Sequence, residues 1–420
     1  MTLSSLPDDA PRWRAVVAAS VGNALEWFDF IIYGFFAITI AKLFFPAESE
    51  AASLLLTLAS LGVPIVVRPF GAIVLGQFAD RHGRKTALTL TISIMMAGTA
   101  ITAFTPTYRS IGIWAPILII VARLMQGFSA GGEFGSATVF LAEHDPSRRG
   151  FFASWQFASQ GLSTVLAAGF GAALHGTLTP QQLESWGWRM PFVFGLLIGP
   201  VAYYVRRRVD ETAEFRSAQT VPAPLRETWA IARMRVLIAI GTTVILTVAA
   251  YTAIFMPTYA IRELGLPTAG GFLATLVAGA IQVAIVPVAG ALSDRLGRLP
   301  IASVAIVAIL IVIYPLFAWI VARPTIQSLL LAQATVGVLV AAYAGAIPAL
   351  LSELFPIQIR TTAVSISYSL AVAIFGGFAP FIMAWLIAVT GSSLAPSFYV
   401  MFAAVVSMIA LGAAYRLGFR

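Results

Sequence analysis

The sequence predicts an all-α membrane protein with twelve transmembrane helices in two pseudo-symmetric six-helix bundles. Three observations predict this fold. Of the 420 residues, 59% are hydrophobic and only 10% are charged, a composition that one core in water cannot bury. Twelve apolar stretches are long enough to cross the roughly 30 Å hydrocarbon layer of a bilayer. A charged loop in the first half of the chain recurs in the second half, which indicates a duplication.

The apolar stretches divide evenly between the two halves of the chain. The first six lie near residues 15–40, 53–78, 86–106, 113–140, 152–175 and 190–205. The next six lie near residues 236–258, 270–292, 301–322, 327–351, 363–389 and 397–415. Short loops separate them, except for a longer charged segment after the sixth stretch. We therefore predict a first bundle at residues 1–205, a linker at 206–235 and a second bundle at 236–420.

Two loop patterns occur once in each half. Residues 76–85 read Gly-Gln-Phe-Ala-Asp-Arg-His-Gly-Arg-Lys, and residues 290–299 repeat both glycines, the aspartate and two arginines of this loop. The pair Glu143 and Pro146 likewise returns as Glu353 and Pro356. Charges at these helix ends can pair and close one face of the protein, or they can serve only to fix the topology. The candidate gate residues are Asp80, Arg81, Arg84, Glu143, Arg149, Asp294, Arg298, Glu353 and Arg360.

The basic residues predict the orientation of the chain. Nineteen of the 26 lie in loops and termini on the side of the repeated loop. Cytoplasmic segments near membrane spans carry an excess of Lys and Arg, so both termini are predicted to be cytoplasmic. The net charge of +8 then follows from topology, and no nucleic-acid partner is needed to explain it.

The residue types present argue against several kinds of chemistry. The chain has no cysteine, and its three histidines lie at loops or helix ends. We therefore expect no metal site, no cofactor and no enzymatic activity that depends on a buried nucleophile and base. No nucleotide-binding loop is present either, so ATP is not expected to supply energy within this chain.

Five charged residues fall inside the predicted spans, and all lie in the first half. They are Glu26, Asp29, Arg68, Arg123 and Glu133. Each charge costs about 2.5–3.5 kcal/mol or more at the bilayer centre, so paired or water-facing positions are expected. Three carboxylates and two arginines leave a net charge of −1, which one proton would neutralise. Burial and mutual repulsion favour a protonated carboxyl group, so we predict proton chemistry in the first bundle and a mostly neutral wall in the second.

The first span carries a polar stripe. At about 100° per residue, Glu26, Asp29 and Tyr33 project within about 60° of one another, and Asn23 flanks them. Counted along their helices, Glu26 and Arg68 reach a similar depth near the membrane midplane, so an ion pair between them is possible. Such a pair either joins the first two helices permanently or takes part in function.

The motifs resemble those of a known family. The loop at residues 76–85, with its copy at 290–299, resembles the signature loop of the major facilitator superfamily. The segments Gly22-Asn-Ala-Leu-Glu-Trp-Phe-Asp29, Arg68-Pro-Phe-Gly71 and Arg123 to Gly135 resemble its metabolite:proton symporter branch, and within that branch the citrate group is most similar. The resemblance covers the whole chain.

This resemblance implies secondary active transport by alternating access, without a cofactor and with the proton as coupling ion. The implied substrate is an organic acid, with citrate or a related di- or tricarboxylate first. The alternatives are 2-oxoglutarate, shikimate, proline or betaine within the branch, and a drug/proton antiporter outside it. Two membrane arginines favour an anion over a zwitterion or a cation. The implied location is the bacterial inner membrane, and one chain that contains both bundles is expected to function as a monomer.

Particular residues are expected to carry these roles. Protonation of a carboxylate can release an arginine to bind a substrate carboxylate, and Arg123 lies in a pattern that resembles the family's fourth-helix motif, which the family links to proton coupling. The proton-coupling candidates are Glu26, Asp29, Arg123 and Glu133. The polar face of the fifth span serves either substrate recognition or helix–helix bonding. The substrate-binding candidates are Asn23, Tyr33, Arg68, Arg123, Gln126, Gln156, Gln160, Thr243, Tyr251 and Tyr368.

Overall fold

The computed structural model describes residues 10–82, 84–131, 133–143, 145, 147–207, 224–357 and 359–419. Within these ranges the chain is helical, and no strand occurs. The first six spans are α1 (Ala10–Phe35, continued by Ala37–Phe44), α2 (Glu50–His82), α3 (Arg84–Phe104), α4 (Trp114–Ala130 and Glu133–Glu143), α5 (Arg149–Thr177) and α6 (Met190–Arg207). The next six are α7 (Pro224–Arg262), α8 (Thr268–Leu296), α9 (Arg298–Ala322), α10 (Ile326–Glu353), α11 (Arg360–Ala371, Val372–Gly376 and Ala379–Thr390) and α12 (Ala395–Arg416).

The helices confirm the predicted twelve-span membrane fold. Among the described residues, nine helices are long and apolar enough to cross a membrane, and the two segments of α1 form a tenth span if counted together. The spans α3 and α6 complete the set, although the apolar part of α3 is shorter, at Leu90–Phe104. The predicted linker is partly helical, because α6 continues to Arg207 and α7 begins at Pro224 with a non-helical residue at Ala232. Residues 208–223 lie outside the described residues, and the division into two bundles at this linker stays a prediction.

Besides α7 with its break at Ala232, three spans are not continuous α-helices. The two segments of α1 meet at 67°. The span α4 is interrupted after Ala130, so that Glu133 begins its second segment. In α11 a π-helical turn occupies Val372–Gly376. Two further residues that weaken a helix, Gly377 and Pro380, follow shortly after it. Because α1 and α4 carry four of the five intramembrane charges, two of these irregular spans also hold the charged residues.

Glycines bring α2 and α4 into backbone contact. A Cβ atom at Gly127 would lie 1.9 Å from the Pro64 carbonyl oxygen, and one at Gly71 would lie 1.9 Å from the Phe128 carbonyl oxygen. At Gly131 the distance to the Arg68 carbonyl oxygen would be 2.1 Å. Small residues of this kind allow membrane helices to approach closely. The close approach places Arg68 of α2 beside the end of the first segment of α4, near Ala130.

The two halves of the chain touch along the whole length of α5 and α8. Near one end, Gly150 lies so close to α8 that a Cβ atom added to it would be 2.3 Å from the Gly290 carbonyl oxygen. At mid-length Gly161 and Gly279 face each other, and near the other end Gly171 lies against the Phe272 ring. We call the side where α1 begins and α12 ends the terminal face, and the other side the opposite face. The contacts between α5 and α8 extend from one face to the other.

We predict that Gly127→Ala destabilises the protein, because its new methyl group would overlap the Pro64 carbonyl and separate α2 from α4. Overpacking of this kind costs about 1–3 kcal/mol. Thermal unfolding of the purified protein in detergent measures the effect. The matched control is Gly169→Ala in α5, where the added methyl group meets nothing within 4 Å. Equal unfolding temperatures for the two variants would contradict the prediction.

Candidate functional site

Asp29 of α1 is the centre of a buried polar cluster. Its side chain is almost inaccessible, and three side chains from two other helices surround the carboxylate. Thr99 of α3 donates to Oδ1 at 2.9 Å, and Gln126 of α4 donates to Oδ2 at 2.5 Å. The Arg123 guanidinium lies 3.4 Å from Oδ2. A buried carboxylate with these partners is compensated both by hydrogen bonds and by an opposite charge.

Arg123 is fully buried but only partly hydrogen-bonded. Its Nη1 donates to Gln126 Oε1 at 2.7 Å as well as facing Asp29. The guanidinium lies over the rings of Tyr33 and Phe30, at 4.3 and 4.8 Å from their centroids. Its Nε and Nη2 make no hydrogen bond among the described residues. Arg123 therefore has a fixed position and two buried donor nitrogens that no acceptor in the described structure satisfies.

Glu26 and Arg68 form a second buried ion pair. Arg68 Nη2 contacts Glu26 Oε1, and the two side chains are 2% and 3% exposed. Arg68 Nη2 also lies 3.4 Å from the Ala130 carbonyl oxygen, whereas its Nε has no hydrogen-bond partner in the described structure. The ion pair that the helix geometry allowed is therefore present. It connects α1 with α2 at the level of the break in α4.

Two tyrosines of the second half lie near the two buried arginines. Tyr251 of α7 lies within electrostatic range of both Arg68 and Arg123, and Tyr368 of α11 lies within range of Arg68. The Tyr251 ring packs against Trp27 at 6.0 Å between centroids, and the Tyr368 ring stacks on Phe134 at 3.3 Å. The arginines thus face the boundary between the two halves of the chain.

The polar face of α5 bonds mainly to α1. Asn23 Nδ2 donates to the Gln156 carbonyl oxygen at 2.8 Å and to Ser159 Oγ at 2.7 Å. Gln156 Nε2 donates back to Asn23 Oδ1 at 3.0 Å. This arrangement corresponds to the helix–helix bonding that was one of the two interpretations of the face. Gln160 instead adjoins Tyr368 of the other half, although its Nε2 makes no hydrogen bond of normal geometry.

Two other substrate-binding candidates have local partners. The Tyr33 hydroxyl lies 2.5 Å from Ser60 Oγ of α2, so that this ring is held under the Arg123 guanidinium. The Thr243 hydroxyl donates to the Ala239 carbonyl oxygen of its own helix at 2.7 Å. Within the described part of the chain, Thr243 makes no hydrogen bond to the buried arginines. Its assignment to the site stays a prediction from sequence.

Glu133 completes the set of five intramembrane charges. It is half-buried at the start of the second segment of α4, and it lines the same cavity as Glu26 and Asp29. Sequence reasoning did not identify Thr99, which is the hydrogen-bond donor to Asp29 from α3. A single threonine in an apolar span carries no local signal, because its partner belongs to a different helix.

Charged contacts connect the two halves at the terminal face. Arg360 Nη1 at the start of α11 lies 2.6 Å from Glu143 Oε1 at the end of α4. The Asp294 carboxylate at the end of α8 accepts the backbone N–H groups of Gly150 and Phe151, at 2.8 and 3.0 Å. These two amides belong to the first turn of α5, where the helix dipole also favours a negative charge. Side chains of one half therefore hold helix ends of the other.

The remaining gate candidates support these contacts or lie outside the described side chains. Arg298 Nη1 lies 2.7 Å from Asp294, and Arg298 Nη2 lies 3.2 Å from Glu353. Both pairs stay within the second half and orient the Asp294 carboxylate. Arg149 begins α5. The side chains of Asp80, Arg81 and Arg84 are not among those described, so their predicted part in the gate stays a prediction.

The opposite face is closed mainly by aromatic packing. The Phe272 ring of α8 lies 5.5 Å from the Phe35 ring and 5.0 Å from the His175 ring, between centroids. An exposed ion pair between Glu50 and Arg262, at 3.1 Å, adds a polar contact above them. The two halves therefore meet at both faces, with the paired arginines and carboxylates between them.

Comparison with known proteins gives a consistent result. Residues 19–322 match the family described as the Major Facilitator Superfamily. The chain is 39% identical to the citrate-proton symporter of Klebsiella pneumoniae, over 96% of this chain and 92% of that protein. It is 33% identical to the proline/betaine transporter of Escherichia coli K12, over 96% of this chain and 83% of that protein. A solved structure of the proton:xylose symporter XylE matches with a TM-score of 0.78 at 16% identity, over 98% of this chain and 96% of that chain.

We predict that Glu143→Arg opens the terminal face, because it replaces the ion pair with Arg360 by two like charges. A loss of about 1 kcal/mol would raise the open population about fivefold. The chain has no cysteine, so a single Gln160→Cys substitution can report opening through its rate of modification by a water-soluble thiol reagent. The charge swap Glu143→Arg with Arg360→Glu is expected to restore the slow rate. If the swapped variant were modified as fast as the single variant, the predicted role of this ion pair in closing the terminal face would be contradicted.

Proposed function

This chain belongs to the major facilitator superfamily, and on that basis we propose that it takes up an organic acid together with protons. It is a transporter and not an enzyme, and the proposed substrate is citrate or a related di- or tricarboxylate. The similarity to a citrate-proton symporter, at 39% identity, exceeds the 33% identity to a proline/betaine transporter. This difference supports an anionic substrate over a zwitterionic one.

The observation that carries the proposal is the pair of buried arginines with unused donors. Arg123 Nε and Nη2 and Arg68 Nε have no hydrogen-bond partner among the described residues. An unpaired buried donor on a charged group costs free energy, so these atoms favour a ligand that brings acceptors. A carboxylate supplies two acceptor oxygens with a negative charge, and arginine binds it in a fork geometry. A substrate with two or three carboxylates can use both arginines.

The geometry supports a concrete exchange of partners. In the described structure the Asp29 carboxylate forms an ion pair with Arg123 at 3.4 Å and also accepts hydrogen bonds from Gln126 and Thr99. Protonation removes that charge, while both neutral partners can still bond to the carboxyl group. Arg123 then lacks a counter-charge, which a substrate carboxylate can supply. Deprotonation reverses the preference, so proton and substrate are bound and released together.

The same arrangement gives roles to the other candidates. Glu26 and Arg68 form a second pair that can exchange its partner in the same way. Tyr251, Tyr368 and Gln160 come from opposite sides of the boundary between the halves, where their hydroxyl and amide groups can contact the substrate's carboxylates or hydroxyl. Movement of the two halves about this position, with the terminal and opposite faces opening in turn, constitutes alternating access.

The proposed setting is the bacterial inner membrane, with the terminal face in the cytoplasm. The excess of basic residues in the loops of that face supports this orientation. Uptake then means that substrate and protons enter from the opposite face. Because one chain contains both halves, we propose that a monomer is sufficient.

The proposal is tested by uptake of radiolabelled citrate into proteoliposomes with an inside-alkaline pH gradient. We expect accumulation that depends on the gradient and that unlabelled tricarballylate inhibits. Unlabelled 2-oxoglutarate, shikimate and betaine serve as competitors that represent the alternatives within the branch. No uptake of labelled citrate, together with gradient-driven uptake of one of these compounds when it carries the label, would replace the proposed substrate and keep the proton coupling. Gradient-driven efflux of an organic cation would indicate the drug/proton antiporter.

We predict that Asp29→Asn removes proton-driven accumulation but preserves exchange of internal for external citrate. Asparagine cannot release a proton, so the carrier can cycle only with its ligand bound. Accumulation is expected to fall at least about tenfold, with exchange unchanged within about twofold. The matched control is Glu184→Gln, which removes an exposed carboxylate that pairs with Lys42 outside the buried cluster. Normal accumulation by Asp29→Asn would show that another group carries the proton.

A further inference from the structure

A cavity lies inside the first half of the chain, away from the boundary between the halves. It contains about 550 Å³ of empty space, part of it open to the surroundings. Its walls come from four helices of the first half, α1, α3, α4 and α6. The substrate position proposed above lies instead where α1, α2, α4 and α5 meet α7 and α11. The cavity is thus a separate space that shares α1 and α4 with the substrate site.

Three carboxylates line this cavity. Glu26 and Asp29 form part of its wall, and Glu133 lies on the same wall from α4. Each of the first two carboxylates is therefore placed between an arginine and the cavity. A group in this position can exchange protons on one side while its charge controls an arginine on the other.

The rest of the lining contains hydroxyl residues among apolar ones such as Leu25, Met95 and Leu196. The hydroxyl residues Thr99, Ser129 and Thr91 lie in the wall with the carboxylates. At about 1.5 Å per residue, the eight residues from Thr99 back to Thr91 extend about 12 Å along α3 towards the terminal face. Thr91 lies about 10 Å from the beginning of α3 at Arg84, and Glu133 lies about 15 Å from the end of α4 at Glu143. The cavity therefore extends from Asp29 towards the terminal face, and polar groups of this type hold water in buried sites.

The corresponding cavity in the second half differs in its chemistry. It contains about 600 Å³ of empty space between α7, α8, α9, α10 and α12. Its polar lining residues are the neutral Thr252, Gln282 and Gln333, and no charged residue is among them. Two similar spaces thus occur in the two halves, but only the first brings carboxylates together. Loose packing alone does not account for this difference.

We propose that the cavity in the first half is the path by which protons leave Asp29 for the terminal face, with Glu133 as the relay. The proposal rests on the proposed function, because it names the route of the coupled proton. The proton passes from the Asp29 carboxyl group to water in the cavity and then to Glu133, while the substrate leaves between the two halves. Separate exits allow Asp29 to lose its proton while the substrate still lies on Arg123, and the recovered negative charge then displaces the substrate.

The first test measures whether water fills the cavity. A Thr91→Cys variant of this cysteine-free chain is treated with the water-soluble reagent 2-sulfonatoethyl methanethiosulfonate, added from the terminal face. We expect modification, and we expect Gly195→Leu to slow it about tenfold by filling the cavity. A side chain at Gly195 has room to enter, since its Cβ would lie 3.9 Å from its nearest neighbours. An unreactive Thr91→Cys would overturn the proposal, whether or not citrate proves to be the substrate.

The second test measures transport with the cavity filled. Gly195→Leu is expected to reduce gradient-driven citrate uptake about tenfold and to leave citrate exchange within about twofold of the unmodified protein. The matched control is Ala253→Leu, which fills the neutral cavity of the second half and is expected to change neither. If Gly195→Leu also loses exchange, the same measurement is made with Glu133→Gln, which preserves the shape of the side chain. The proposal is overturned if the variant that retains exchange shows unchanged gradient-driven uptake.

The two tests separate failure of the route from failure of the function. An unmodified protein that neither accumulates nor exchanges citrate contradicts the proposed substrate, and the modification of Thr91→Cys still decides whether a water path exists. An unmodified protein that accumulates citrate, combined with a Gly195→Leu variant of equal activity, supports the function and overturns the route.

Discussion

The need to neutralise charge inside the membrane governs this structure. An isolated carboxylate or guanidinium at the bilayer centre is costly, so each must have a partner. The chain meets this need with two ion pairs, Glu26 with Arg68 and Asp29 with Arg123. Because the partners belong to α1, α2 and α4, these three helices must converge. The third carboxylate, on Glu133, makes the intramembrane carboxylates outnumber the arginines by one.

Close helix packing makes that convergence possible. At Gly127, Gly71 and Gly131 the backbones of α2 and α4 approach so closely that any side chain would overlap a carbonyl group. The same device recurs between the halves at Gly150 and Gly290. The glycines therefore fix the charged cluster in the first half and also let α5 and α8 approach closely at the boundary between the halves.

The two halves contribute differently although they derive from a repeat. The first half holds all the intramembrane charges, whereas the second half supplies tyrosines and apolar side chains around them. The two faces also differ. The Glu143–Arg360 ion pair and a carboxylate on a helix N-terminus connect the halves at the terminal face, and aromatic rings do so at the opposite face. Charged groups are well solvated when they separate, so the groups that close the terminal face differ in this respect from the aromatic rings that close the opposite face.

The sequence by itself determined the twelve spans, the internal repeat and the identity of the five membrane charges, because hydropathy and charge are properties of single residues and short windows. The stripe on α1 and the possible pairing of Glu26 with Arg68 also followed from helical periodicity. Only the tertiary structure decided which groups meet. It paired Asn23 with Gln156, brought Thr99 to Asp29 and opened a cavity beside three carboxylates. Such contacts join different helices, and their geometry depends on how the helices pack, which no local pattern in the sequence records.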